Sequence, residues 1–303
     1  MSSEANISIS KEYLLLLLVA AIWGTSFGLI KVGVGEIGPV TLTAGRILIA
    51  AIALSIWLVL SKQARLNLSA SAITSYLIVG LFGNALPFAL IGWSEQTLDS
   101  SLVAILMGIM PLFTIVMAHY FLEDEPFTPR AIIGIGLGFA GLMVLLGFSV
   151  WQESGDKVLA QVVVMVATLS YASVTIYVRR YVRASGIEMA TGAMIAASLF
   201  SLVAAFVLEE PTQMGWNMRA LVPMTLLGLF PTALASVLYF RLVRNLGATR
   251  FAQINYIIPV FGSIIGATFL DEHIALRMWV ALGLVLSGIF LVHGARRGTP
   301  RIL

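Results

Sequence analysis

Ten long apolar stretches, separated by proline, glycine or charged residues, constrain the fold of this chain more than any other feature. Each has about the 20 apolar residues that an α-helix needs to cross the hydrocarbon core of a bilayer. They are too long and unbroken for barrel strands, and backbone groups in lipid must be hydrogen-bonded within the segment. The sequence therefore predicts ten transmembrane helices: Tyr13 to Gly33, Pro39 to Ser61, Ala70 to Trp93, Ser100 to Leu122, Arg130 to Phe148, Val158 to Val178, Gly186 to Leu208, Ala220 to Val243, Thr249 to Leu270 and Leu276 to Gly294.

The composition excludes several classes of protein. Hydrophobic residues make up 59% of the 303 residues and charged residues only 11%, which leaves no room for a separate soluble domain. Cysteine is absent, so disulfides, thiolate nucleophiles and cysteine-ligated metal centres are excluded, and no metal site is predicted. The basic residues are scattered among loops, so the net charge of +3 indicates membrane topology and not a nucleic-acid partner.

The distribution of lysine and arginine predicts the orientation, because cytoplasmic loops carry an excess of these residues. With ten spans and a cytoplasmic N terminus, thirteen of the eighteen basic residues fall on the cytoplasmic side and four on the other. We therefore expect a cell inner-membrane protein with both termini in the cytoplasm. The thirteen are Lys11, Lys62, Arg65, Arg130, Arg179, Arg180, Arg183, Arg241, Arg244, Arg250, Arg296, Arg297 and Arg301.

An internal repeat appears when the chain is aligned on itself with a shift of 148 residues. Over residues 80–122, thirteen of the 43 pairs are identical without a gap, which is more than shared apolar composition would give. The identical pairs include Gly80 with Gly228 and Pro111 with Pro259. The chain therefore consists of two related halves.

Each half has five spans, and because five is an odd number, the second half enters the membrane from the opposite side. The predicted fold is an all-α integral membrane protein with two inverted five-helix repeats around a central cavity. The repeats are residues 13–148 and 158–294, with a periplasmic linker at 149–157 and cytoplasmic tails at 1–12 and 295–303. This architecture is typical of secondary transporters, which bind solute near the midplane.

Arg46 lies inside the second predicted span, ~10 Å from its outer end at ~1.5 Å per residue. A buried charge costs at least ~2.5–3.5 kcal/mol, so its position needs a reason. In one interpretation, Arg46 snorkels to the outer headgroups or pairs with a helix-end carbonyl. In the other, it lends positive potential to a cavity that receives a carboxylate. None of the fifteen acidic residues lies near the middle of a span, although Glu95 and Asp99 flank the turn after the third. This absence argues against a proton relay or a deep site for cationic drugs.

Other polar and aromatic side chains within the spans are candidates for the cavity, because polar groups at such depth face protein or water and not lipid. Each could instead serve as a contact between helices. Together with Arg46, the predicted cavity residues are Trp23, Ser26, Asn84, Trp93, Tyr171, Tyr239, Gln253, Asn255 and Tyr256.

Two prolines occupy matching positions in the fourth and ninth spans, Pro111 and Pro259. A proline within a helix lacks one N–H group, frees a carbonyl and kinks the helix. Matching broken helices indicate hinges beside a binding site, although kinks that only shape packing are the alternative.

One motif suggests an enzyme, since Gly24-Thr25-Ser26-Phe27-Gly28 fits the G-x-S-x-G pattern of serine hydrolases. A nucleophile elbow requires a strand-to-helix turn, whereas this motif lies inside an apolar helix. The three histidines, His119, His273 and His293, lie near span ends or in a loop. No Walker A motif occurs, so we expect neither an enzyme nor an ATP-driven motor.

Several of these residues together resemble a known family. Trp23-Gly24-x-Ser26-Phe27, Arg46, Pro111 and the segment from Phe121 into the glycine-rich fifth span resemble EamA-type members of the drug/metabolite transporter superfamily, and Pro259 to Gly294 resembles the second copy. Within that group the chain is most similar to YddG-type exporters of aromatic and other neutral amino acids. The second repeat departs from the pattern, with Tyr171-Ala172 in place of Trp-Gly.

The resemblance implies an exporter of small organic metabolites, foremost aromatic or neutral amino acids, that works by alternating access with no bound cofactor. It also implies that helix kinks near Pro111 and Pro259 accompany the switch between states. An exporter of drugs or nucleotide-like compounds is an alternative within transport. A passive channel or a structural membrane subunit is an alternative of a different class.

Overall fold

A computed structural model describes residues 2–61, 65–122, 129–146, 155–182, 186–246, 251 and 254–296. Within these ranges the chain folds into ten long helical segments. They are α1 (Ser2–Val34), α2 (Pro39–Ser61), α3 (Ala70–Gly80, Leu81–Ala85 and Leu86–Glu95), α4 (Ser100–Met107 and Met110–Phe121), α5 (Pro129–Leu146), α6 (Gly155–Tyr181), α7 (Gly186–Leu208), α8 (Met218–Leu227, Gly228–Leu234 and Ala235–Leu246), α9 (Ile254–Phe269) and α10 (Leu276–Arg296).

The lengths of these helices fit the thickness of a bilayer. Seven are long and apolar enough to cross a membrane. Three shorter apolar helices, Ile132–Leu145, Ile257–Phe269 and Leu276–Leu291, lie in α5, α9 and α10. Together they match the ten spans that the sequence predicts, and the predicted all-α integral membrane fold is confirmed.

The packing of the helices follows the symmetry of two repeats, in which α1–α5 correspond to α6–α10. The contact of α1 with α9 is matched by that of α6 with α4, and the contact of α3 with α7 by that of α8 with α2. The contacts of α2 with α7 and of α5 with α10 join equivalent helices. Such pairing is the arrangement expected of two interlocked inverted repeats.

Small residues allow the closest helix crossings, as they commonly do in membranes. Gly24 of α1 packs directly on Phe261 and the backbone of α9, and Gly288 of α10 packs on the backbone of α5 at Gly134. A methyl group at either position would overlap the neighbouring helix. These glycines therefore fix the helix spacing.

Three helices depart from regular α geometry, and all three departures lie beside the centre of the molecule. The middle parts of α3 and α8, Leu81–Ala85 and Gly228–Leu234, are wide π-helical turns. Helix α4 is interrupted at residues 108–109, and its second part begins with Met110 and Pro111. By contrast Pro259 lies inside an α-helix that is continuous over Ile254–Phe269.

Candidate functional site

A cavity of about 500 Å³ lies between the two repeats. Among the described residues, every helix except α5 and α10 contributes to its lining, and Arg46 is the one charged residue in it. The size falls in the ~300–1,000 Å³ range typical of small-molecule sites. The cavity can therefore hold an organic solute, and the one charge among its described lining residues is positive.

The guanidinium group of Arg46 lies inside the cavity and does not snorkel to the membrane surface. The residue is 4% exposed, and its Nε and Nη2 atoms donate to Thr232 Oγ1 at 3.3 and 3.0 Å. Its central carbon lies 3.9 Å from the centroid of the Phe88 ring. The hydroxyl of Thr232 donates in turn to Leu227 O at 2.7 Å. Nη1 makes no hydrogen bond with the described residues, so it can donate to a solute.

The two wide turns carry the same hydrogen bond at equivalent positions of the repeats. Asn84 Nδ2 donates to Val79 O at 3.1 Å, and Thr232 Oγ1 donates to Leu227 O at 2.7 Å. Under the 148-residue shift, Asn84 corresponds to Thr232 and Val79 to Leu227. In each π turn, a polar side chain donates to the backbone carbonyl of the residue five positions earlier. Each repeat thus presents a polar residue to the cavity from the turn.

Aromatic side chains form two groups on the cavity wall. Trp23, Tyr239 and Phe251 lie together, with ring centroids 6.5, 6.3 and 4.9 Å apart, and the Trp23 indole donates to Pro231 O at 3.0 Å. Phe88 and Tyr171 form the second group, 6.5 Å apart, beside Arg46. Edge-on and tilted ring contacts of this kind hold flat apolar surfaces in place.

Seven of the ten predicted cavity residues line this cavity: Trp23, Ser26, Arg46, Asn84, Tyr171, Tyr239 and Asn255. Trp93 lies away from it and is 38% exposed. Gln253 and the side chain of Tyr256 lie outside the described part of the chain. Of the predicted hinge residues, Pro259 lines the cavity, and Pro111 is buried behind it. Contact of these residues with a solute stays a prediction.

Two lining residues that the sequence analysis did not single out are central to the site, Thr232 and Phe88. Threonine and phenylalanine are common inside membrane helices, so neither stands out by type. The repeat offered a signal for Thr232, because the alignment places it opposite Asn84. No comparable signal exists for Phe88, which acquires its role from the guanidinium group that lies on its ring.

On the predicted outer side, two carboxylates of the second repeat hold helix N-termini of the first. Glu209, after α7, accepts from Val40 N and Thr41 N of α2 at 2.9 and 2.7 Å. Glu272, after α9, accepts from Ser100 N and Ser101 N of α4 at 2.7 and 3.0 Å. Carboxylates are stabilising at helix N-termini, whose N–H groups lack helical partners. These contacts hold the repeats together at their predicted outer ends.

Glu95, at the end of α3, flanks the turn as expected, but its side chain does not face water. It is completely buried, and neither carboxylate oxygen has a hydrogen-bond partner among the described residues. Lys31 Nζ instead donates to the backbone carbonyls of Glu95 and Leu98, at 2.7 and 2.8 Å. Together these groups close the space between α1 and α3 at the same end as Glu209 and Glu272.

Comparisons with known proteins agree with this architecture. A transporter of Bacillus subtilis, uncharacterized transporter YoaV, is 23% identical over 282 residues, covering 93% of this chain and 96% of its own. The inner membrane transporter YedA of Escherichia coli K12 is 24% identical, covering 89% and 87%. A crystal structure with 18% identity superposes with a TM-score of 0.67 over 96% of this chain and 99% of the other, which supports the fold.

A further relative is named for its substrate. The S-adenosylmethionine/S-adenosylhomocysteine transporter of Chlamydia trachomatis serovar L2 is 25% identical over 289 residues, covering 92% of this chain and 88% of its own. None of these three relatives is named for aromatic amino acids, so the narrower resemblance to YddG-type exporters stays a prediction.

The family comparison covers both repeats. The model of the EamA-like transporter family matches residues 10–147 and again residues 158–294. The two matches correspond to the two halves that pack around the cavity. The chain is therefore a multi-pass membrane transporter that belongs to the EamA-like family of the drug/metabolite transporter superfamily.

Proposed function

We propose that the protein exports aromatic and other neutral amino acids across the cell inner membrane by alternating access, without ATP hydrolysis. The observation that carries this proposal is the buried guanidinium group of Arg46, the one charged group in the described lining of an aromatic cavity. A buried arginine favours a carboxylate, which it can bind through two parallel hydrogen bonds. One N–H group of Nη1 and the second N–H group of Nη2, neither of which bonds to the described residues, form such a pair.

The aromatic rings supply the site for the rest of the solute. Trp23, Tyr239 and Phe251 offer flat apolar surface on the wall of the same cavity. Burying an aromatic side chain against such rings is favourable through area and ring geometry alike. A carboxylate at one end and an apolar side chain at the other describes a neutral amino acid.

A second candidate solute follows from the Chlamydia trachomatis relative, which is named for S-adenosylmethionine and S-adenosylhomocysteine. These solutes carry an amino-acid group and a purine ring. Arg46 would bind the carboxylate, and the aromatic group of Trp23, Tyr239 and Phe251 would contact the purine. A nucleotide is a poorer fit, because one guanidinium group would have to neutralise several buried negative charges.

Reconstitution in liposomes tests the transport function. Liposomes loaded with labelled phenylalanine should release the label faster when unlabelled phenylalanine is added outside, and the rate should saturate with concentration. Protein-free liposomes are the control, and S-adenosylmethionine is added as a competitor to test the second candidate. A rate that never saturates and shows no exchange would indicate a channel, and no flux for any amino acid would contradict the proposal.

The proposed orientation, with both termini in the cytoplasm, is tested with single cysteines in this cysteine-free chain. Leu68 lies between α2 and α3 on the predicted cytoplasmic side and is 76% exposed. Thr212 is exposed between α7 and α8 on the other side. In intact cells, an impermeant thiol reagent should label Thr212→Cys and spare Leu68→Cys until the cells are lysed. The reverse pattern would invert the topology.

A further inference from the structure

We infer that the side-chain oxygen of Asn84 binds the ammonium group of the solute, which makes α-amino acids, and not simple carboxylic acids, the substrate class of this cavity. The inference rests on the proposed function, because it assumes a carboxylate at Arg46. It adds a second polar contact, made by a different helix, that binds the other charged group of the solute.

Hydrogen-bond chemistry fixes the orientation of the Asn84 amide. The carbonyl of Val79 can only accept, so the group 3.1 Å from it must be the amide nitrogen of Asn84. The side-chain oxygen then points the other way, and it accepts no hydrogen bond from the described residues. Because Asn84 lines the cavity, this oxygen is an acceptor available to a solute.

The position of Asn84 relative to Arg46 suits the two charged groups of an amino acid. Asn84 and Phe88 both line the cavity from α3, Asn84 from the wide turn and Phe88 from the α-helical part that follows it. The guanidinium group lies 3.9 Å from the Phe88 ring. One solute can therefore contact the guanidinium donors and the Asn84 oxygen with neighbouring groups.

The two repeats have divided these roles between equivalent residues. In α8, the oxygen of Thr232 donates to Leu227 O and accepts from Arg46, so it is fully used. In α3, Asn84 makes the same bond through its nitrogen and keeps its oxygen available. Arg46 itself corresponds to Met194, so no second guanidinium group among the described lining residues competes for that oxygen. The wide turn of α8 therefore holds the guanidinium donor, and the wide turn of α3 supplies the oxygen acceptor.

The test compares binding of L-phenylalanine with binding of 3-phenylpropionate, which lacks only the ammonium group, by calorimetry on the purified full-length protein. We expect the wild type to bind phenylalanine at least tenfold more tightly. Asn84→Val should weaken phenylalanine binding at least tenfold and change 3-phenylpropionate binding less than threefold. Asn84→Thr can make the bond that Thr232 makes, and its affinity for phenylalanine should lie between those of the wild type and Asn84→Val.

Ser170→Ala is the matched control for the shape of the turn. Ser170 Oγ donates to Phe82 O in the same turn of α3, yet Ser170 is not part of the cavity lining. This variant should keep the wild-type preference. Equal weakening of both ligands in Asn84→Val, or loss of the preference in Ser170→Ala, would overturn the role of Asn84. Failure of the wild type to bind either ligand would instead overturn the proposed function.

Discussion

Replacement of Arg46 by methionine should reduce phenylalanine binding at least a hundredfold and abolish measurable exchange in liposomes. The guanidinium group is the one positive charge in the described cavity lining. A hydrogen bond to a charged group contributes ~1.5–3 kcal/mol, so loss of a two-bond contact with carboxylate removes roughly 3–6 kcal/mol, which is about a hundredfold or more.

Methionine suits this position because the second repeat already carries it there. Met194 is the counterpart of Arg46 and lines the same cavity, buried in a similar setting. Removing a buried charge and replacing it with an apolar side chain is often neutral or stabilising, so the melting temperature should not fall. Arg46→Lys keeps the charge without the planar pair of donors and should bind phenylalanine with intermediate affinity.

Two results would contradict the carboxylate role of Arg46. One is phenylalanine binding by Arg46→Met within threefold of the wild type. The other is an equal loss of binding for phenethylamine, a probe that has the ring and the ammonium group and lacks the carboxylate. A purely structural role would weaken both probes alike, whereas a carboxylate contact should affect phenylalanine far more.

The sequence alone predicted the helices and their symmetry because both depend on strong, local signals. A span needs about 20 apolar residues in a row, and the 148-residue shift aligns Gly80 with Gly228 and Pro111 with Pro259. Arg46, Trp23 and Asn84 were predicted as cavity residues for a related reason, because polar and amphipathic side chains within a span avoid lipid. These residues line the cavity because polar side chains within a span face protein or water, and a single sequence shows which polar residues lie within a span.

The remaining features depend on contacts between distant segments, which a single sequence does not reveal. A single sequence does not specify the wide π form of the turns in α3 and α8, although the second of them contains Pro231. Glu95 was expected to flank a turn, but neighbouring helices enclose its side chain completely. Trp93 was predicted to line the cavity from its type and its place within a span, but it is not among the lining residues.

The two matching prolines differ in this state, and the difference suggests what they do. Helix α4 is interrupted at residues 108–109, before Pro111, whereas α9 continues through Pro259. The two sites meet, because the Pro259 ring packs against Gly108 at the interruption. In an inverted repeat, the opposite access state exchanges the conformations of equivalent helices. That state would have α4 straight and α9 bent.

We therefore expect Pro111→Ala and Pro259→Ala to slow exchange at least tenfold each while shifting the access state in opposite directions. Alanine at 111 restores an N–H group and favours a straight α4. This change disfavours the present state, in which Glu209 and Glu272 join the repeats at their predicted outer ends. Alanine at 259 disfavours a bent α9 and so disfavours the opposite state. Phenylalanine affinity should stay within about tenfold, because neither change removes a polar contact with the solute.

A single cysteine at Ser236, which lines the cavity, reports the access state. An impermeant thiol reagent added from the outer side should label it faster in Pro111→Ala and more slowly in Pro259→Ala than in the cysteine variant alone. Both effects follow from one cause, since an equilibrium between two states moves toward the state in which the altered helix is unstrained. Shifts in the same direction, or unimpaired exchange at equal expression, would mean that the prolines only shape packing. Loss of phenylalanine binding in a folded variant would instead make the altered proline part of the binding site.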